Sequence, residues 1–304
     1  MNTDELFTIK RSKKYPSLSV VKYKKKVFYD NLWNKDERLL ECRGRVIDDC
    51  GKTVINPFTK IFNYLENGTS IDDEERCLCV DKINGFLACA TYNDELKDVI
   101  VSTTGSLDSD YVEIAKETIP DCFINYVLDK KQRNTYMFEI VSDKDILKHP
   151  IREEYGAYLI GMRSVDDEMP YFSTQDYENF LDELAGKINC QFVLPKDKSI
   201  KRPEWRICNF SNIKEISRSS RKEGYVVYGQ TSKKVLKIKT PFYLTKKALM
   251  RKKDIMTLDK TKVDEEFYGL IDYCKSAYDF KNMSEHDREE IIERYFSGMN
   301  YDKS

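Results

Sequence analysis

Four stretches between residues 18 and 92, LSVVKYKKKVFY, CRGRVID, KTVINPF and GFLACATY, carry strand patterns and are separated by charged or glycine-containing turns. A chain punctuated in this way commits its first third to sheet. Strand signal returns in TYMFEIV and YGAYLIGMR, and again in EGYVVYG and VLKIKT. Between these runs, helix is predicted over 110–118 and in TQDYENFLDELAGKI. After Pro241 the β signal fades. The runs DEEFYGLIDYCKSAY and SEHDREEIIERYF space their apolar residues as helices do, and the second opens on a Ser N-cap with acids in its first turn. The pattern predicts an α+β body with a short helical tail and shows no internal repeat.

Composition narrows the function classes. With 304 residues, 40% hydrophobic content, 20 Tyr and 15 Phe, the chain can fill a substantial core. No apolar run approaches the length of a membrane span, and the polar start MNTDELFTIKRSKK lacks a signal-peptide segment. A soluble cytoplasmic protein without a membrane partner is expected. Nine cysteines without a C-x-x-C pair, alongside only His149 and His286, argue against zinc and predict buried reduced thiols. The net charge of −1 conceals basic clusters (KRSKK, KYKKK, KKALMRKK) and acidic ones (IDDEE, HDREE), so a polyanionic partner is not excluded.

Within CVDKINGFLACATY, Lys82 and Gly85 stand at a strand entrance, and no other glycine has a lysine three residues before it. A lysine nucleophile must shed its proton, through desolvation or neighbouring cations, and a nearby glycine lets backbone approach a bulky ligand. A surface lysine with Gly85 easing a turn fits the same residues. Strand alternation puts Lys237 and Lys239 on one face, and likewise Lys60 and Phe62. Two cations on one face suit a triphosphate, to which Arg43 can add a bidentate contact, although lysines also protect a solvent-facing strand edge. Phe62 and Tyr23 fit a core equally well. Glu139 and Glu223 lie in apolar strand-like runs, where a carboxylate is costly unless paired or metal-linked. There each can accept from a ribose hydroxyl, meet the water shell of Mg²⁺, or form a salt bridge with a strand neighbour.

Taken together and in order, ECRG, KIFN, Lys82 with Gly85, FEIV, EGYVV and KIKT resemble the nucleotidyltransferase motifs of ATP-dependent RNA ligases. The resemblance is closest to the RNA ligase 1 family of tRNA-repair enzymes found in tailed phages, and it runs from about residue 23 to 243. It implies an adenylyltransferase domain over 1–243, with antiparallel sheets flanking the ATP site, and a helical C-terminal domain over 244–304. It implies that Lys82 is catalytic, attacking the α-phosphate of ATP, after which AMP passes to an RNA 5′-phosphate and a 3′-hydroxyl displaces it. In that family the positions matching Arg43, Lys60, Lys237 and Lys239 contact phosphates, and those matching Tyr23 and Glu139 belong to the nucleotide pocket. Gly85, Glu223 and Gly224 match residues required for activity, and Phe62 matches a required aromatic. Lys239 is the expected cation nearest the α-phosphate. The implied cofactors are ATP and Mg²⁺, for which Mn²⁺ can substitute, with Glu223 meeting the metal through water. The implied partners are RNA 5′-phosphate and 3′-hydroxyl ends, broken tRNA among them, and the implied state is a monomer.

The chain departs from the family at three places. Thr104, in STTGSLDS, stands where the family often carries a lysine before Gly-Ser, and Asn84 replaces the aspartate of the usual Lys-x-Asp-Gly. The tail is shorter than the helical domain of the phage enzymes, which puts specificity for broken tRNA in question. Asp264 and Glu265 are candidates for a metal-contacting acid there. DNA ligases and capping enzymes place a β-rich oligonucleotide-binding fold after the last lysine motif, so a helical tail favours RNA. Residues 22–26 and 246–253 either track RNA backbone or are solvated surface. Two other readings stand beside the RNA-ligase one: another polynucleotide nucleotidyltransferase, of DNA-ligase or capping type, and, motivated by Thr104 and Asn84, an RNA-binding relative with weakened or lost chemistry.

Overall fold

The computed structural model describes residues 5–145, 149–190 and 199–298. Strands β1 (Phe7–Arg11), β2 (Leu18–Tyr23), β3 (Arg43–Asp48) and β4 (Thr53–Ile55) form a first antiparallel sheet in chain order. The next two, β5 (Phe62–Asn63) and β6 (Arg76–Asp81), enter a second sheet. A third is built from β7 (Phe86–Asn93), β8 (Asp98–Thr103), β9 (Asn134–Val141) and β10 (Gly156–Ser164), in the order β10-β9-β7-β8. With β11 (Trp205–Asn209), β12 (Gly224–Gly229) and β13 (Val235–Lys239), the second sheet closes as β11-β6-β12-β13-β5. Pairing is antiparallel except between β13 and β5, where Leu236 meets Phe62 in parallel.

Among the described residues, five α-helices precede the end of β13: α1 (Lys26–Tyr29), α2 (Asp110–Thr118), α3 (Asp121–Lys130), α4 (Gln175–Cys190) and α5 (Phe210–Ser219). Four follow it: α6 (Pro241–Met250), α7 (Lys252–Ile255), α8 (Tyr268–Ala277) and α9 (Glu285–Ser297). Among the described residues, every regular element after Lys239 is helical, and no helix is long and apolar enough to cross a membrane.

Strand alternation places the cores. On β7, Ala88 and Ala90 face α2, α3 and α4, where they meet Val112, Phe123 and Leu181. Cys89 between them faces the opposite way, into a core shared with Val20 and Val46 of the first sheet and Leu78 and Tyr228 of the second. On β6, Cys77 and Cys79 turn to α5 and pack with Phe210 and Ile213. The tail has its own core, around Leu244, Phe267, Leu270, Ile292 and Phe296.

Two predicted strands are shorter than their patterns, and of these KTVINPF is sheet only over Thr53–Ile55. LSVVKYKKKVFY stops as sheet at Tyr23, and Lys26–Tyr29 closes a helical turn instead. The lysine run breaks the alternation, and Val27 is buried with Trp33 and Leu39 rather than on a sheet face.

Topology also explains the stretch 79–92. β6 ends at Asp81 in the second sheet and β7 begins at Phe86 in the third. Residues 82–85 therefore carry the chain across the junction between two sheets.

Candidate active site

Backbone contacts hold this crossing. The Lys82 N–H donates to the Gly224 carbonyl at 3.0 Å, and the Gly85 N–H donates to Glu139 Oε1 at 3.1 Å. A β-carbon at Gly85 would lie 2.2 Å from the Ile140 carbonyl oxygen, and one at Gly224 would lie 2.0 Å from that of Ile238. Both glycines answer to close backbone approach. The Lys82 amine reaches into the junction and meets Glu223 Oε1 at 2.9 Å, against a side chain only 4% exposed. The partner touching this amine is thus a carboxylate, where sequence reasoning expected surrounding cations.

Asn84 completes the arrangement. With its amide oriented to satisfy all its neighbours, its nitrogen lies 3.0 Å from Glu223 Oε2 and 3.1 Å from His149 Nδ1, and its oxygen accepts from the Ile151 N–H at 3.1 Å. His149 Nε2 in turn lies 2.7 Å from Asp145 Oδ2. An aspartate at 84 would set a second negative charge against Glu223. The amide donates to that carboxylate instead.

Two connected compartments open beside Lys82 and share Arg43, Lys82, Gly85 and Lys237. The inner one, about 330 Å³, is walled by Phe58, Ile61, Val80, Leu87, Ile160 and Val226, with Glu139 at one side. Such apolar walls with a few polar groups suit a planar base. The outer one, about 490 Å³, is lined by Lys237, Lys239, Lys247, Arg251, Asp264 and Glu266. Its cations suit phosphates.

Burial pushes the Glu139 carboxyl above the ordinary carboxylate range, against the pull of Lys82, and the Glu223 charge adds to the rise. In the outer compartment Glu266, from the tail, bridges Lys239 at 3.0 Å and Lys247. Burial alone would raise Glu266, yet the two lysines hold it well below the carboxylate range. The lysines respond in kind. Burial works against their charge, and Glu266 nevertheless keeps both above the ordinary lysine value.

Of the residues singled out in sequence, Lys82, Arg43, Gly85, Glu139, Glu223, Lys237 and Lys239 line this cleft, and Gly224 anchors it. Tyr23, Lys60 and Phe62 do not line it. The Lys60 side chain is fully buried, its amine 4.9 to 5.3 Å from the ring centres of Phe62, Phe28 and Trp33 and 3.3 Å from Glu66. Tyr23 packs edge-on against Phe28 and Trp33, each at 5.0 Å. Aromatic faces and a carboxylate stabilise the Lys60 charge, between Thr59 and Ile61, which line the inner compartment. Sequence reasoning missed Lys247 and Glu266, because a lysine in a basic run and an acid in an acidic run carry no local sign of pairing.

Asp264 also lines the outer compartment, where Lys247 and Arg251 hold it at 2.9 and 2.8 Å, while the Glu265 side chain lies outside the described residues. Among the described residues no group of three or more His, Cys, Asp or Glu stands ready to hold a metal. Much of the basic run 246–253 is neutralised within the tail, Lys252 by Glu285 and Glu289 as Lys247 is by Glu266.

No family model and no curated protein matches the chain in sequence. Among solved structures it is similar to a protein assigned as an ATP-dependent DNA ligase from Aquifex aeolicus, with a TM-score of 0.58 and 15% identity over 96% of this chain and 74% of that one. It is also similar to an archaeal ATP-dependent RNA ligase. Form 1 gives a TM-score of 0.57 at 15% identity over 92% of this chain and 70% of that one; form 2 gives 0.53 at 14% over 83% and 67%. The chain has the mixed α+β nucleotidyltransferase fold of ATP-dependent nucleic-acid ligases.

Proposed function

We propose that this chain is an ATP-dependent RNA ligase of the RNA-repair type and that Lys82 is its nucleophile. The observation that carries the reading is the position of the Lys82 amine, at the mouth of an apolar compartment and beside a cationic one, in contact with Glu223. Adenine enters the inner compartment, where Glu139 offers its carboxyl to the ribose. The phosphates lie against Arg43, Lys237 and Lys239. Lys82 gives a proton to Glu223 and attacks the α-phosphorus, so that an N–P bond forms and the P–O bond to pyrophosphate breaks. An oxygen of the RNA 5′-phosphate then attacks the same phosphorus, releasing the lysine. Finally the 3′-hydroxyl attacks the 5′-phosphorus and AMP leaves.

Magnesium enters such sites through one or two carboxylates together with substrate phosphates, and we assign that role to Glu223 and Asp264, which line the outer compartment. The metal would neutralise charge on the transferred phosphate. The match to the protein assigned as a DNA ligase spans most of the tail, so the helical tail does not select RNA over DNA. The preference for RNA rests on the ordered motifs.

Incubation with α-labelled ATP and Mg²⁺ should label the wild-type protein and leave Lys82→Ala unlabelled; a folded wild type that takes up no label overturns the reading. Supplying 5′-phosphorylated RNA or DNA ends to the labelled protein assigns the substrate. RNA binding without any label would favour the relative without chemistry.

A further inference from the structure

Strand register places a set of cations at the edge of this cleft. Lys22 lies opposite both Thr8 and Arg43, and Lys10 lies opposite Val20. Paired residues share a face, as do residues two apart, so Lys10, Lys22 and Arg43 project from one side of the first sheet. That side meets the turn at 104–106. Lys10 Nζ donates to Ser106 Oγ at 3.2 Å, and Lys22 Nζ sits 3.8 Å from where a β-carbon of Gly105 would be. Gly44, at φ +94°, lets β3 press on the turn so closely that a β-carbon there would lie 2.7 Å from Thr104 Cα.

Arg43 and Thr104 line the inner compartment, whereas Lys22 and Lys10 are exposed. Positive charge thus continues from inside the cleft, over its rim and out along the sheet. Asp108 is the acid of this turn, and its oxygens accept from the Lys13 and Lys14 N–H groups, Ser12 and Ser106. Lys26 pairs with Glu5 at 3.5 Å, but Lys22 has no ion pair among the described residues. The turn carries Thr104 rather than a lysine of its own, and the neighbouring strand brings an amine to it.

We propose that this rim seats the phosphate backbone of the RNA strand, with Lys22 and Lys10 as its contacts. The proposal rests on the ligase reading for the identity of its ligand. Phosphate contacts of this kind release counterions, so each one lost lowers the salt slope of single-strand binding by about 0.7.

The test is binding of a 5′-phosphorylated single-stranded RNA oligonucleotide by the full chain across a salt series. Lys10→Ala with Lys22→Ala should weaken binding roughly tenfold at low salt and reduce the slope by about 1.4. Lys10→Arg with Lys22→Arg should restore binding, and Lys130→Ala, an exposed lysine on α3, should bind as wild type does. An alanine pair with wild-type affinity and slope, or an arginine pair as weak as the alanine pair, overturns the proposal. Self-labelling of the wild type with ATP decides the ligase reading separately. A labelled protein whose alanine pair still binds RNA normally refutes the rim alone.

Discussion

At the scale of single residues, the cleft is held together by charges that tertiary contact forces into opposition. Glu266 is buried between Lys239 and Lys247, and removing one partner of such a cluster leaves uncompensated charge behind. Glu266→Gln should therefore lower stability by about 3 kcal/mol near neutral pH. Because the folded protein holds this carboxyl below its unfolded value of ~4.3, its contribution is complete above that pH and is lost as acid protonates it. The two lysines, held above their unfolded value, contribute below it and lose their effect as pH climbs through the raised values. Melting curves should show the gap between wild type and Glu266→Gln narrowing once pH falls below ~4; a constant gap would refute the assignment. Lys82, Glu139 and Glu223 could be picked from sequence because an ionisable group in a strand-like run is conspicuous. Asn84 could be noticed there, but its role could not, since the carboxylate it serves lies 139 residues away in the chain.

At the scale of elements, two junctions position the chemistry. Gly224 opens β12 where Ile238 of β13 leaves no space for a side chain. Gly224→Ala should force the strands apart, lower stability by roughly 1–3 kcal/mol and slow self-labelling, as urea denaturation and the ATP assay would show. Thr240 couples β13 to α6: its hydroxyl accepts from the Tyr243 N–H at 3.1 Å and donates to the Lys222 carbonyl at 2.7 Å. Thr240→Ala should cost about 1–2 kcal/mol in urea unfolding. Strands β7, β9 and β10 of the third sheet were legible from sequence pattern, whereas β8, buried on both faces from Val99 to Thr103, was not; α9 was legible from its Ser284 cap, whose hydroxyl accepts from the Asp287 N–H. The end of β2 was not, because the aromatic cluster around Trp33 claims Val27 where local pattern suggested continued sheet.

For the whole molecule, three sheets meet around one shared core while the tail packs on its own, and the cleft lies where these bodies converge. The same burial governs the thiols. Cys42, Cys77, Cys79, Cys89, Cys122 and Cys274 are buried, and desolvation pushes Cys79 and Cys89 up to about 12. Cys50 and Cys190 are exposed. A thiol reagent should modify those two rapidly in the native protein and reach the buried six only on unfolding, which mass analysis of the labelled positions would establish. Rapid modification of Cys89 would contradict the packing of β7 between two cores.

The strands β2, β3, β7, β9, β10, β12 and β13, the helices α2 and α4, the helical character of the tail and the positions of the conspicuous charged residues were legible in the sequence alone, because alternation and caps act over a few residues, whereas β8, β11, α3 and α5 were not. Which charges face one another was decided only in three dimensions. Lys60 and Lys237 look alike in sequence, yet one is enclosed by aromatic rings and the other lines the cleft, a choice made by packing between segments far apart in the chain.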